Sequence, residues 1–143
     1  MSGKRSRARE LAVQALYQWQ LTGQEPQEID AQFLAEQDME GADVAYFREL
    51  LRQVPRHVEA LDGEYAAVLD RPIGQLDPVE KAILRLGVYE LKHCIELPYR
   101  VVITEAVELA KTFGAEDGHK YVNSILDRVA RRIRATEAGG ASS

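Results

Sequence analysis

The stretch VAYFRELLRQVPRHVEALDGEYAAV, residues 44–68, decides the fold class. Val44, Phe47, Leu51, Val54, Val58, Leu61, Tyr65 and Val68 recur at alternating spacings of three and four, the repeat of one apolar helical face. The register runs straight through Pro55, where proline removes a hydrogen bond and crowds the preceding turn. A kink or a close restart of the helix is expected there, not a change of direction. Gly63 is expected to make a second break.

The same period extends to both sides. Ala8, Ala12, Ala15, Leu16 and Trp19 form the apolar face of a first helix that should end near Gly23. Pro26 opens a short acidic helix carrying Ile29, Phe33 and Leu34, and Asp43 is placed to cap the next one. Asp70-Arg71-Pro72-Ile73-Gly74 reads as a linker. In LDPVEK, Asp77 is an N-cap, Pro78 takes the first helical position, and Glu80 completes a capping-box-like pattern. Leu84, Val88, Leu91 and Ile95 supply that helix's buried face until Pro98 stops it. Val102, Ala106, Leu109, Ala110 and Phe113 follow, with Gly114 as C-cap, and Val122, Ile125, Leu126, Val129 and Ile133 line the last helix.

Six or seven helices with short connections predict an all-α bundle in two packed sub-bundles. The expected boundaries are one domain over 1–136, with an N-terminal sub-bundle over about 7–70 and a C-terminal one over about 77–136. EAGGASS, 137–143, reads as a disordered tail.

At 143 residues the chain is long enough for one sizeable core. Its net charge of −5 conceals a segregation. Lys4, Arg5, Arg7 and Arg9 stand without an acid among residues 1–9. Eleven acids face three arginines over 25–64, and Arg128, Arg131, Arg132 and Arg134 crowd the end of the last helix. Overall acidity therefore does not exclude nucleic acid, provided the two basic ends meet on one surface. Two solvated basic termini fit the charge pattern equally well. A membrane span would need about 18 uncharged apolar residues in a row, and no run approaches that. Basic residues before LAVQALYQWQL resemble a signal peptide, but Glu10 and three glutamines argue against export. A cytoplasmic protein without internal disulfide is expected, with the lone Cys94.

Catalytic and metal patterns are missing. His57, His93 and His119 are far apart in sequence, and adjacent His93 and Cys94 diverge by about 100° on a helix. There is no CxxC, HExxH, GxSxG or phosphate-cradling glycine loop. An acid/base pair of Asp117 and His119 would diverge by about 200° once helical. No enzyme activity, metal or cofactor is expected.

Asp117-Gly118-His119-Lys120-Tyr121 reads better as a helix start. Its amides and positive dipole end beside Lys120 suit a phosphate, and Tyr121 lies at the seam of the apolar face, where a ring can stack on a base. On the helical wheel Arg128, Arg131 and Arg134 fall on the Lys120 side. A capped helix with a solvated face fits the spacing as well. The basic run Lys4–Arg9 is expected to project as a mobile arm that binds phosphates, with Tyr17 available downstream and Trp19 in the core.

RARELAVQALYQWQL, QFLAEQDMEGADVAYFRELL, VEKAILRLGVYEL and PYRVVITEAVELAKTFGAEDGHKYVNSILD together closely resemble the NusB family of bacterial transcription antitermination factors. The resemblance runs from residue 7 to about 134. A related domain begins some bacterial RNA methyltransferases, but the length leaves no room for a methyltransferase domain. The resemblance implies binding to single-stranded boxA RNA of ribosomal operon leaders, together with the ribosomal protein NusE. That assembly makes RNA polymerase read through terminators. It places Lys4, Arg5, Arg7, Arg9, Tyr17, Asp117, His119, Lys120 and Tyr121 at or near the RNA, and Glu80 towards NusE. It leaves monomer and homodimer equally open. A purely protein-binding helical adaptor is the alternative reading.

Overall fold

The computed structural model describes residues 3–135, so the expected tail at 137–143 lies outside the described residues. Among these residues there are seven α-helices and no strand: α1 Lys4–Thr22, α2 Pro26–Glu36, α3 Val44–Arg56, α4 Val58–Ala66, α5 Pro78–His93, α6 Tyr99–Phe113 and α7 Gly118–Ile133. A short 3-10 turn, Ile73–Gln75, interrupts the α4–α5 connection. The all-α expectation holds.

Punctuation residues set most of the boundaries. Gly23 adopts the left-handed conformation at φ 71° and ends α1. Asp43 accepts the Tyr46 amide at 3.0 Å to start α3. Asp77 accepts the amides of Val79 and Glu80, both at 3.1 Å, to start α5. Such a cap is worth about 1 kcal/mol. Pro55 is accommodated in the last turn of α3, and α4 restarts immediately after His57. Gly63 makes no break, because α4 runs through it.

The chain divides into two compact units between His57 and Val58. This lies earlier than the linker suggests, because α4 packs on α5 and α7. In the first unit α1 packs on α2 and α3, and α2 on α3. Leu11, Leu16, Ile29, Leu50 and Leu51 are fully buried, and Phe33 stacks on Phe47 with ring centroids 5.8 Å apart. Asp30, buried on α2, accepts Arg48 at 3.0 Å and Arg52 at 3.2 Å from α3. Leu34 is at the surface.

In the second unit α5, α6 and α7 pack on one another, with α4 on α5 and α7. Nearly the whole of α5 is buried from Ala82 to Leu91. Ile95, expected on its apolar face, is 76% exposed because α5 already ends at His93. Asp62 joins α4 to α5 by accepting Arg85 through two bonds of 2.9 Å and the Tyr65 hydroxyl at 2.8 Å. Among the described residues no helix is long and apolar enough to cross a membrane.

Candidate nucleic-acid interface

In the first unit the basic run is not a loose arm. It is the beginning of α1, and the Asp43 amide donates to the Lys4 carbonyl at 2.9 Å, tying α1 to the start of α3. Arg5 sits 3.7 Å from the Asp43 carboxylate, with its guanidinium 4.0 Å from the Tyr46 ring centroid. Arg7 pairs with Glu10 at 3.1 Å. Arg9 corrects the sequence reading: it is 3% exposed, with its guanidinium 5.4 Å from the same Tyr46 ring. One turn before the buried Ala12 and Val13, it lies on the side of α1 that faces the core and does not present its charge outward. Tyr17 is 37% exposed, and Trp19 is half-buried rather than core.

The electrostatics of this helix start are unusual. Gly3 gives no side-chain cap, and the first turn holds no acid. Lys4, Arg5 and Arg7 therefore stand at the positive end of the helix dipole, where carboxylates are normally favoured. That placement is unfavourable, and Asp43 beside Arg5 and Glu10 beside Arg7 offset part of the cost.

In the second unit Asp117 opens α7, but not as a conventional cap. It is the one non-glycine residue with positive φ among the described residues, at φ 67° and ψ 0°, and its side chain makes no capping bond. The carboxylate pairs instead with Lys120 at 3.4 Å, and both side chains are well exposed. Aspartate tolerates this conformation better than most residues, at a cost of about 1 kcal/mol. His119 is half-exposed.

Tyr121 is half-buried under the α4–α5 connection. The Arg71 guanidinium lies 4.8 Å from its ring centroid, and its hydroxyl donates to Asp70 at 3.3 Å. Asp70 also accepts Arg71 Nε at 2.8 Å, which holds its carboxyl below the usual range. Burial raises the Tyr121 phenol, opposed by the positive charge of Arg71.

Glu80 also corrects the sequence reading. Expected to face a protein partner, it is 9% exposed, with its carboxylate against Gly118. Burial and then Asp77 raise its carboxyl, opposed by Arg71.

The basic end of α7 divides. Arg134 is buried and donates to the Leu91, Leu97, Glu90 and Cys94 carbonyls at 2.8, 2.8, 3.3 and 3.1 Å, capping the C-terminal end of α5. Arg132 binds Glu64, and Arg131 pairs with Asp127 at 3.1 Å. Only part of the charge on the helical wheel is therefore displayed.

The NusB family model matches residues 6–131. The chain belongs to the NusB family. It is 58% identical to the transcription antitermination protein NusB of Nitrosococcus oceani, over 96% of this chain and 92% of the relative. It is 59% identical to that of Pasteurella multocida, over 88% of each. One chain of a crystal structure of antitermination factors NusB and NusE in complex with dsRNA matches with a TM-score of 0.81 and 30% identity. That match covers 89% of this chain and 96% of the other. Both of these relatives are transcription antitermination proteins.

Two residues beside Tyr121 in this NusB-family chain escaped the sequence reading. Asp70 and Arg71 appeared only as linker, because nothing in a loop's composition shows that it folds back over a helix fifty residues away. The only available signal was an opposite-charge dipeptide ahead of a proline.

Proposed function

We propose that this chain is a cytoplasmic, RNA-binding transcription antitermination factor. It binds single-stranded boxA RNA of ribosomal operon leaders together with NusE and promotes read-through by RNA polymerase. On the first unit the RNA contacts are Lys4, Arg5, Arg7 and Tyr17. On the second they are Asp117, His119, Lys120 and Tyr121.

The supporting observation is the start of α1, where three cations oppose the helix dipole with no acid in the first turn. Phosphate neutralisation by such groups supplies most affinity, Tyr17 adds base stacking of about 1–3 kcal/mol, and half-buried Tyr121 offers the strand its hydroxyl edge. Lys120 supplies a point charge, and Asp117 holds it at the α7 start. For NusE the proposed contact is the first turn of α5, where exposed Asp77 adds negative charge beside the largely covered Glu80.

A titration of boxA RNA and a scrambled RNA, each with and without NusE, tests this. The expected result is weak preference for boxA by the chain alone and a marked gain with NusE. Equal, weak binding of both RNAs under both conditions would instead support a protein-only adaptor.

A further inference from the structure

We propose that Arg71 is a further RNA ligand, and that Asp70 holds in the free protein the place an RNA phosphate takes in the complex. The inference rests on the RNA-binding reading of the α7 start and deepens it.

Three features of the Asp70–Arg71–Tyr121 group carry the argument. First, Asp70 accepts Arg71 in a fork, Nε to Oδ1 at 2.8 Å and Nη2 to Oδ2 at 3.4 Å. Two oxygens of a phosphodiester offer the same planar, bidentate match to a guanidinium. Second, the pair is accessible: the Arg71 side chain is 44% exposed and that of Asp70 68%. Exposed pairs between neighbouring residues are weak and open to exchange. Third, Arg71 is aimed by something other than its carboxylate, because its guanidinium lies over the Tyr121 ring. Stacking fixes the plane of the cation while its edge stays available to an acceptor.

The exchange is therefore a local one. An incoming phosphate takes the Arg71 fork, Asp70 is displaced into solvent, and Arg71 keeps its seat on the ring. Displacement also releases the Tyr121 hydroxyl from Asp70, so that it can donate to the RNA. The counter-ions freed from the strand favour the exchange at low salt. A purely structural latch would use the same contacts, but its removal would change the melting temperature and leave the RNA unaffected.

The test is fluorescence polarisation of a labelled single-stranded boxA RNA at several salt concentrations, with thermal melts of each variant. Arg71→Ala is expected to weaken binding about three- to ten-fold and to lower the salt slope by about 0.7. Arg71→Lys should retain the slope, since the charge remains. Asp70→Asn should tighten binding about two- to five-fold, and the gain should vanish in the double variant with Arg71→Ala. Unchanged affinity and slope in Arg71→Ala, or weaker binding in Asp70→Asn, overturns the proposal. If Lys120→Ala still weakens binding in that case, the RNA-binding reading survives without Arg71. If the unaltered protein shows no salt-dependent binding, that reading fails and the inference falls with it.

Discussion

Glu80 and Gly118 share one small space: a Cβ built on Gly118 would lie 2.5 Å from Glu80 Oε2. The Glu80 carboxylate can rest so close to the start of α7 only because residue 118 has no side chain. Gly118→Ala should push the flexible end of Glu80 towards solvent and cost less than about 1 kcal/mol, read as a slightly lower denaturation midpoint. A midpoint equal to that of the unaltered protein would show that the contact is slack.

The raised Glu80 carboxyl makes a prediction of definite sign. An acid whose folded pKa lies above its ordinary value of 4.5 weakens the fold while ionised, and protonation relieves that as pH falls. Glu80→Gln should therefore raise the melting temperature at neutral pH. The gain should shrink as pH falls through the folded pKa towards 4.5. A gain independent of pH would assign the effect to packing.

Glu64 should behave in the opposite way. Its hydrogen bond from Lys92, at 2.9 Å, and its bond from Arg132 hold its carboxyl below 4.5, despite partial burial. Its stabilising contribution is present above 4.5 and is lost as pH falls through the folded pKa. Glu64→Gln should lower the melting temperature at neutral pH and converge with the unaltered protein in acid. Parallel curves at every pH would contradict the ion-pair account.

Two arginines that look alike in sequence should separate in experiment. Arg134 satisfies four carbonyls around the end of α5, so Arg134→Ala leaves buried acceptors unpaired and should cost about 2–4 kcal/mol. Arg128 is exposed, and its replacement by alanine should change stability by less than about 0.5 kcal/mol. Chemical denaturation of both variants measures the difference.

The pattern of helices was legible because periodicity records burial directly, and caps such as Asp43 and Asp77 mark helix starts within four residues. Gly63 misled because a glycine inside a packed helix costs only about 1 kcal/mol, which the burial of Leu61 and Tyr65 offsets. Exposed charge at a helix start, as at Lys120, was legible in the sequence. Charge that serves the interior was not. Arg9 and Arg134 carry the same side chain as Arg5 and Arg128, and only the fold shows which of them face inward. The covering of Tyr121 by Arg71 is a contact across fifty residues that no local pattern encodes.

The central claim is that displayed cations at the starts of α1 and α7 bind unpaired RNA. The direct measurement is the slope of log affinity against log salt for boxA RNA. It should be taken for the unaltered chain, for Lys4, Arg5 and Arg7 together changed to alanine, for Lys120→Ala, and for all four changes combined. Each lost phosphate contact should lower the slope by about 0.7, and the combined variant should lose the sum of the two separate losses. A slope that stays the same in every variant, with all of them folded, would contradict the account.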